Sequence, residues 1–112
     1  MPGSEMVRVT LTPGDGDDDG ALQIVIDMKV DGDTRQATGP FPAFGRIGDF
    51  KRPETLYPFA LMFDGRMDLG ALATEAQRQA RLDIRTARVV PGETVRATDH
   101  LYVIRTVTPL LD

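Results

Sequence analysis

Cysteine and tryptophan are absent from this 112-residue chain, and histidine and serine each occur once. Without cysteine the protein can form no disulfide, no thiolate nucleophile and no Cys-ligated zinc or iron–sulfur site. The single histidine, His100, cannot build a multi-His metal site, and it lies in a predicted turn beside Asp99 with no nucleophile suggested nearby. We therefore expect no enzymatic activity and no small-molecule substrate.

Long apolar segments are also missing, and the longest run is Phe59-Ala60-Leu61-Met62-Phe63. A membrane-spanning helix needs about 20 predominantly apolar residues. The N-terminus lacks the basic and apolar regions of a signal peptide. The sequence thus predicts a soluble, cytoplasmic protein with no signal peptide, no transmembrane segment and no membrane partner.

The residues that are present are those of a globular protein, with 41% hydrophobic and 27% charged residues. At this length we expect residues 1–112 to form a single domain. The net charge of −4 is uneven, because seven aspartates and one lysine lie between Gly14 and Asp33 while the remainder has ten acidic and twelve basic residues. One face could therefore be acidic and another mildly basic.

Alternation of apolar and polar residues predicts a mostly-β protein. A helix is predicted only from about Leu69 to Arg81, where Asp68 can cap its start and the apolar stripe is rich in alanine. The fold class that follows is α+β, mostly β: a small antiparallel barrel or sandwich of about six strands with one helix. The predicted strands are residues 6–12, 21–30, 34–38, 56–63, 94–97 and 101–108, and turns are predicted at Asp31-Gly32 and Pro91-Gly92.

An irregular loop is predicted over residues 39–55, which are rich in proline, glycine and phenylalanine. Proline fixes φ and cannot donate to a β-ladder, so a long regular element is not expected there. Loops of this length in a compact domain tend to be functional or to order on binding. Phe41, Phe44 and Phe50 either pack back over the core or contact a partner.

The acidic run Asp15-Gly16-Asp17-Asp18-Asp19-Gly20 matches the DxDxDG opening of an EF-hand calcium loop. Carboxylates at alternate positions suit a hard cation, so Asp15, Asp17 and Asp19 are candidate calcium ligands. Against this interpretation, Ile26 stands where the bidentate glutamate belongs, and the flanking residues are predicted strands. The alternative is an acidic hairpin loop whose charge maintains solubility and keeps other sheet edges away.

The longest basic series contains Arg78, Arg81, Arg85 and Arg88. Nucleic-acid binding needs several such charges on one surface, and stacking aromatics are not interleaved with these arginines. A solvated surface is the simpler interpretation.

The C-terminal segment resembles the tail of phage head–tail adaptor proteins, which are also called stoppers or head-closure proteins. In that family a strand reading I-R is followed by a P-G turn, a short strand, a further turn and a strand reading Y-x-I-R-x-V. The residues that carry the resemblance are Ile84-Arg85, Pro91-Gly92, Val95, Tyr102, Ile104-Arg105 and Val107, together with the helix-like stretch 75–80 and the opening Val9-Thr10-Leu11.

This resemblance implies a homo-oligomeric ring between portal and tail, located in the virion and in contact with neighbouring assembly proteins. DNA would pass through the ring without specific binding, and the acidic loop would face the channel. Subunit contacts would then come from the predicted helix and the arginine-bearing strands, and from a phenylalanine-containing arm. The interface residues so implied are Phe41, Phe44, Phe50, Arg78, Arg81 and Arg85.

Two other functions remain open from the residues alone. One is a calcium-stabilised β-type binding module that uses the loop at residues 15–20. The other is a small acidic inhibitor that blocks a basic site on a partner. No cofactor is expected apart from the candidate calcium ion.

Overall fold

The computed structural model describes residues 3–14, 23–38, 43–49, 51–52, 54, 56–70, 80–98 and 100–110. These residues form one curled antiparallel sheet with the strand order β5-β4-β3-β2-β1-β7-β6. Strands that are consecutive in the chain pair with each other, except for β5 and β6, which lie at opposite edges; β7 also pairs with β1. The strands are β1 Ser4–Pro13, β2 Gln23–Asp31, β3 Ala43–Gly48, β4 Tyr57–Leu61, β5 Met67–Asp68, β6 Thr94–Ala97 and β7 His100–Pro109.

The sheet has one buried face because its central strands alternate apolar and polar residues. Val9 of β1 lies opposite Ile26 of β2, and neither side chain is exposed. Their sequence neighbours point outward, where Arg8 pairs with Asp27 across the strands. The fully buried members of the core include Val7, Leu11, Ile24, Val30, Leu61, Leu82, Ile84, Val89 and Ile104.

The sheet curls into a half-barrel, and residues 80–83 connect its two edges. On the β5 side, the Met67 N–H donates to the Ala80 carbonyl and the Leu82 N–H donates to the Gly65 carbonyl, both at 2.9 Å. On the β6 side, the Thr98 N–H donates to the Arg81 carbonyl at 2.9 Å. One short segment therefore satisfies backbone groups at both edges of the same sheet.

The structure confirms the mostly-β prediction and the antiparallel, barrel-like arrangement. Strand β6 has the predicted bounds, and the turn at Pro91-Gly92 closes with a hydrogen bond from the Glu93 N–H to the Val90 carbonyl. Gly92 has a φ of 93°, which is the left-handed value that the second central residue of a type II turn requires.

The prediction of an irregular loop over residues 39–55 was wrong for its middle part. Strand β3 lies there and pairs on one side with β2 and on the other with β4. The six residues of β3 contain no proline, although prolines occur on both sides of them. Two neighbouring strands supply partners for these residues, and this tertiary pairing outweighs their weak local preference.

Two further elements differ from prediction. The predicted strand 34–38 is reduced to a single bridge between Val30 and Ala37. No α-helix occurs among the described residues, and Gly70 has a φ of 102°, so a helix does not begin at Leu69. The rest of the predicted helix, residues 71–79, lies outside the described residues. In the described part of the chain, no helix has the length and apolar character needed to cross a membrane.

Candidate protein-interaction surface

Phe44 lies on the outer face of the sheet and is 60% exposed. Its position follows from the register, because Ala43 points into the core opposite Leu61 and the next residue must point outward. On the outer face Phe44 has Ala60 as its cross-strand neighbour on β4 and Asp27 as its neighbour on β2. Phe44 is thus a large apolar side chain exposed at the second position of β3.

A shallow groove of about 370 Å³ adjoins the Phe44 ring. Most of its wall is apolar, and Asp68 is its single ionisable residue. We call this groove and its ring the Phe44 surface; its lining residues are Phe44, Gly45, Pro58, Phe59, Ala60, Asp68, Leu69 and Gly70.

Asp27, the neighbour of Phe44 on β2, forms an ion pair with Arg8. Arg8 donates from Nε to Oδ1 and from Nη2 to Oδ2 of Asp27, at 2.8 and 2.9 Å. The hydrogen bond to Asp27 and the attraction to its charge raise the pKa of Arg8. Such a two-pronged pair gives each of the two charges a partner within the protein, although both side chains still contact water.

The outer edge of the Phe44 surface is an open strand edge that is poorly suited to strand addition. Strand β5 pairs only with Ala60 and Leu61, which leaves the first part of β4 uncovered among the described residues. The Met62 N–H points toward the β5 side, where it donates to the Arg66 carbonyl at 2.9 Å. The backbone N–H groups of a strand point alternately to its two edges, so the nitrogen of Pro58, four residues before Met62, also faces the β5 side. A proline nitrogen carries no hydrogen and therefore offers no donor at this edge. A partner would therefore dock through side chains.

Arg81 belongs to the segment that connects the two sheet edges. Its guanidinium Nη2 donates to the Asp64 carbonyl, and its backbone N–H donates to Thr98 Oγ1 at 3.2 Å. These contacts join the β4–β5 turn to the β6–β7 turn. Arg81 thus contributes to closure of the sheet, and its side chain is only partly available for contacts with another molecule.

Arg85 holds the end of β4. Its Nε donates to the Met62 carbonyl at 2.8 Å, and its Nη2 donates to the Leu61 carbonyl at 2.7 Å. The guanidinium carbon also lies 5.4 Å from the centroid of the Phe63 ring, which is within the range of a cation–π contact. Partial burial lowers the pKa of Arg85.

The described structure brings together only part of the predicted set. Phe44 is exposed and does not pack over the core, which decides between the two alternatives left open for it, and its contact with a partner stays a prediction. Arg81 and Arg85 are not among the residues that line the groove beside it. The other predicted residues lie outside the described residues, and their predictions stay untested: Phe41, Phe50 and Arg78 at the interface, and Asp15, Asp17 and Asp19 as calcium ligands. Among the described residues, no group of three or more potential metal ligands occurs.

Sequence reasoning did not single out the exposed apolar side chains of Tyr57, Phe63, Leu101 and Leu110. Tyr57, the first residue of β4, is 52% exposed, and Phe63, two residues after its end, is 62% exposed, although both lie in the segment 56–63 that the sequence predicted as a strand. Leu101, at 54% exposure, follows the tight turn that joins β6 to β7. The exposure of Tyr57 could have been expected from its neighbour Pro58, since proline within a strand indicates that the strand lies at the edge of a sheet.

Comparison of this chain with protein-family models, with curated proteins and with solved structures found no match.

Proposed function

We propose that the protein is a non-enzymatic structural subunit of the phage head–tail connector type, which associates with further copies of itself in a ring around a DNA channel. It would act in the virion after synthesis in the cytoplasm. Neighbouring assembly proteins would be its other partners, and DNA would pass without specific recognition.

The observation that carries this proposal is the Phe44 surface. It combines an exposed aromatic ring, an apolar groove beside it and an adjacent ion pair that is already satisfied. Apolar rings surrounded by satisfied polar groups are typical of the centre of a protein–protein contact. The small antiparallel barrel-like fold is compatible with the resemblance of the C-terminal strands to connector proteins.

A ring requires that two different surfaces of each subunit meet. When unlike patches meet, each copy contacts the next one in the same way. The chain of copies closes into a ring if the rotation between neighbouring copies is a whole fraction of a full turn. The Phe44 surface lies on β3 and β4, while Leu101 lies on β7 toward the other end of the strand order. Exposed apolar residues at separated positions are what a head-to-tail contact needs.

The test is the mass of the purified chain in solution, measured by light scattering over a range of concentrations. We expect self-association of the wild-type chain and weaker association of Phe44→Ser. Burial of a phenylalanine contributes about 1.5–3 kcal/mol, so the association constant should fall about ten- to hundredfold. The Tm should remain within a few degrees of wild type, because the removed ring is exposed.

The matched control is Leu110→Ser, which removes a partly exposed apolar side chain from the residue after β7 and should leave the association constant unchanged. A wild-type chain that stays monomeric at every concentration, with a Tm that rises on addition of calcium, would contradict the connector proposal. That result would favour the calcium-stabilised binding module.

A further inference from the structure

The outer face of the sheet carries a second apolar recess, at the end of the strand order where β7 and β6 lie. Leu101, which is 54% exposed, and the half-buried Val103 point outward there, because Tyr102 between them is buried and successive strand residues face opposite sides. Arg96 and Thr94 lie opposite them on β6. The recess is an open groove of about 540 Å³, which we call the Leu101 groove; its lining residues are Pro13, Gly14, Thr94, Arg96, His100, Leu101 and Val103.

Gly14 keeps the Leu101 groove open on its β1 side. The Gly14 N–H donates to the Leu101 carbonyl at 2.8 Å, so the end of β1 is held against β7. A Cβ at Gly14 would lie 3.3 Å from that carbonyl oxygen and 3.4 Å from Val103 Cγ2. Because glycine carries no side chain, the apolar floor made by Leu101 and Val103 remains accessible.

The two recesses of the outer face carry opposite charges. Asp68 is the single ionisable residue that lines the Phe44 surface, and its Oδ1 accepts a hydrogen bond from the Gly70 N–H at 2.9 Å. Arg96 lines the Leu101 groove. Both side chains belong to exposed residues, and neither forms an ion pair with a residue that the structure describes. The two recesses are therefore complementary in charge.

The Phe44 surface and the Leu101 groove cannot meet within one copy. The strand order places β2 and β1 between β3 and β7, and each strand spacing adds about 4.8 Å along the sheet. Both recesses lie on the convex side of the curled sheet, opposite the buried face, so its curvature turns them in different directions. Two unlike patches that face different directions are what a head-to-tail contact between copies joins.

We propose that the Phe44 surface of one copy docks on the Leu101 groove of the next, with the Phe44 ring against Leu101 and Val103 and the Asp68 carboxylate at the Arg96 guanidinium. This inference rests on the proposed connector function and identifies the receiving surface of its contact. An aromatic ring that enters an apolar recess, with charged groups at the rim, is typical of the residues that contribute most to a protein–protein contact.

The test mixes two variants that each lack one half of the contact, and it measures mass by light scattering. Phe44→Ser keeps the groove, and Leu101→Ser keeps the Phe44 surface. We expect each variant alone to associate about tenfold or more weakly than wild type, since each loses an apolar side chain that the contact buries. Their equimolar mixture should form a one-to-one heterodimer with one intact contact. The heterodimer should grow no further, because only the two altered surfaces remain free.

Leu110→Ser is the matched control for Leu101→Ser. It makes the same chemical change at a leucine that is 38% exposed and does not line the groove, so it should associate as wild type does. The Tm of Leu101→Ser should remain within a few degrees of wild type, because more than half of the Leu101 side chain is already exposed.

Reversal of the two charges tests the orientation of the contact. Asp68→Lys and Arg96→Glu each bring like charges together, and each should weaken association about two- to fivefold. The chain with both substitutions should associate more tightly than either single variant, because opposite charges meet again. Loss of the Asp68 hydrogen bond to Gly70 cannot produce such a recovery, since the double variant lacks that bond as well.

The outcomes separate this inference from the connector proposal. Wild-type association that Leu101→Ser leaves unchanged would overturn the inference alone, since copies would then meet through another surface. A mixture of Phe44→Ser and Leu101→Ser that gains no mass would also overturn it, as would a double charge variant no tighter than the single ones. A wild-type chain that is monomeric at every concentration would contradict the inference and the connector proposal together.

Discussion

Asp31 stabilises the turn after β2 through its side chain. Its Oδ1 accepts hydrogen bonds from the backbone N–H groups of Thr34 and Asp33, at 3.0 and 2.8 Å. These bonds favour the ionised form and lower the pKa of Asp31. The folded pKa lies below the unfolded value of about 3.9, so this stabilisation is complete above about pH 4 and is lost as the pH falls through the folded pKa.

We therefore expect Asp31→Ala to reduce the free energy of unfolding at pH 7, and the difference from wild type to shrink as the pH approaches 2–3 (about one to two units below the unfolded pKa). Urea unfolding at several pH values measures this, and an NMR titration of the Asp31 carboxyl gives its pKa directly. Asp33→Ala is the neighbouring control. An Asp31 carboxyl that titrates at or above 3.9 would contradict the argument.

Gly45 illustrates how closely β3 approaches the rest of the sheet. A Cβ at this position would contact the Val25 carbonyl oxygen, and it would lie 2.9 Å from both the Ile26 Cα and the Phe59 Cζ. Two of these atoms belong to the backbone of β2 and cannot move away as a flexible side chain could. We expect Gly45→Ala to cost about 1–3 kcal/mol in urea unfolding. Gly3→Ala, where a Cβ meets nothing within 4 Å, should cost less than about 0.5 kcal/mol.

At the scale of the element, the turn that leads into β6 depends on the left-handed conformation of Gly92. The Gly92 N–H donates to the Ile104 carbonyl at 2.8 Å, and the Ile104 N–H donates to the Glu93 carbonyl at 2.9 Å, so the turn is also fixed to β7. A side chain with a branched Cβ is strained at a φ of 93°.

Replacement of Gly92 by valine should therefore lower the free energy of unfolding by about 1–2 kcal/mol, measured by urea unfolding. Asparagine tolerates the left-handed region better, so Gly92→Asn should lose clearly less. Open space surrounds this glycine, and steric contact therefore does not confuse the comparison. Equal losses for the two variants would show that φ at residue 92 is not the cause.

At the scale of the whole molecule, residues 80–83 make the two edges of the sheet depend on each other. Leu82 is fully buried within this segment, and its neighbours bond to both β5 and the β6–β7 turn. Loss of its side chain would leave a cavity at the point where the curled sheet closes.

We expect Leu82→Ala to cost about 2–5 kcal/mol. It should also reduce the hydrogen-exchange protection of the Met67 and Thr98 amides together, although these lie at opposite edges of the sheet. Leu101→Ala, in which the removed side chain is 54% exposed, should change stability by less than about 0.5 kcal/mol. Reduced protection at only one of the two amides would mean that the segment does not couple the edges.

Features of the fold that depend on a few neighbouring residues were predicted from the sequence, and features that depend on distant segments were not. The buried alternation in β1 and β2, the bounds of β6 and the turn at Gly92 were all predicted, because period-two patterning and turn chemistry act within a few residues. At the candidate site, sequence reasoning proposed Phe44 as an interface residue but placed it in a loop. Its exposure arises from the register of β3 between β2 and β4.

The sequence by itself determined a mostly-β, antiparallel protein without cysteine chemistry, since composition and alternation carry that information. Only the tertiary structure decided that residues 43–48 form a strand, that residues 80–83 connect the two sheet edges, and that Arg85 binds the carbonyls at the end of β4. Each of these depends on partners that are far apart in the chain. Pairing between distant segments leaves little trace in local residue preferences, because a strand's stability comes from the strands that lie beside it.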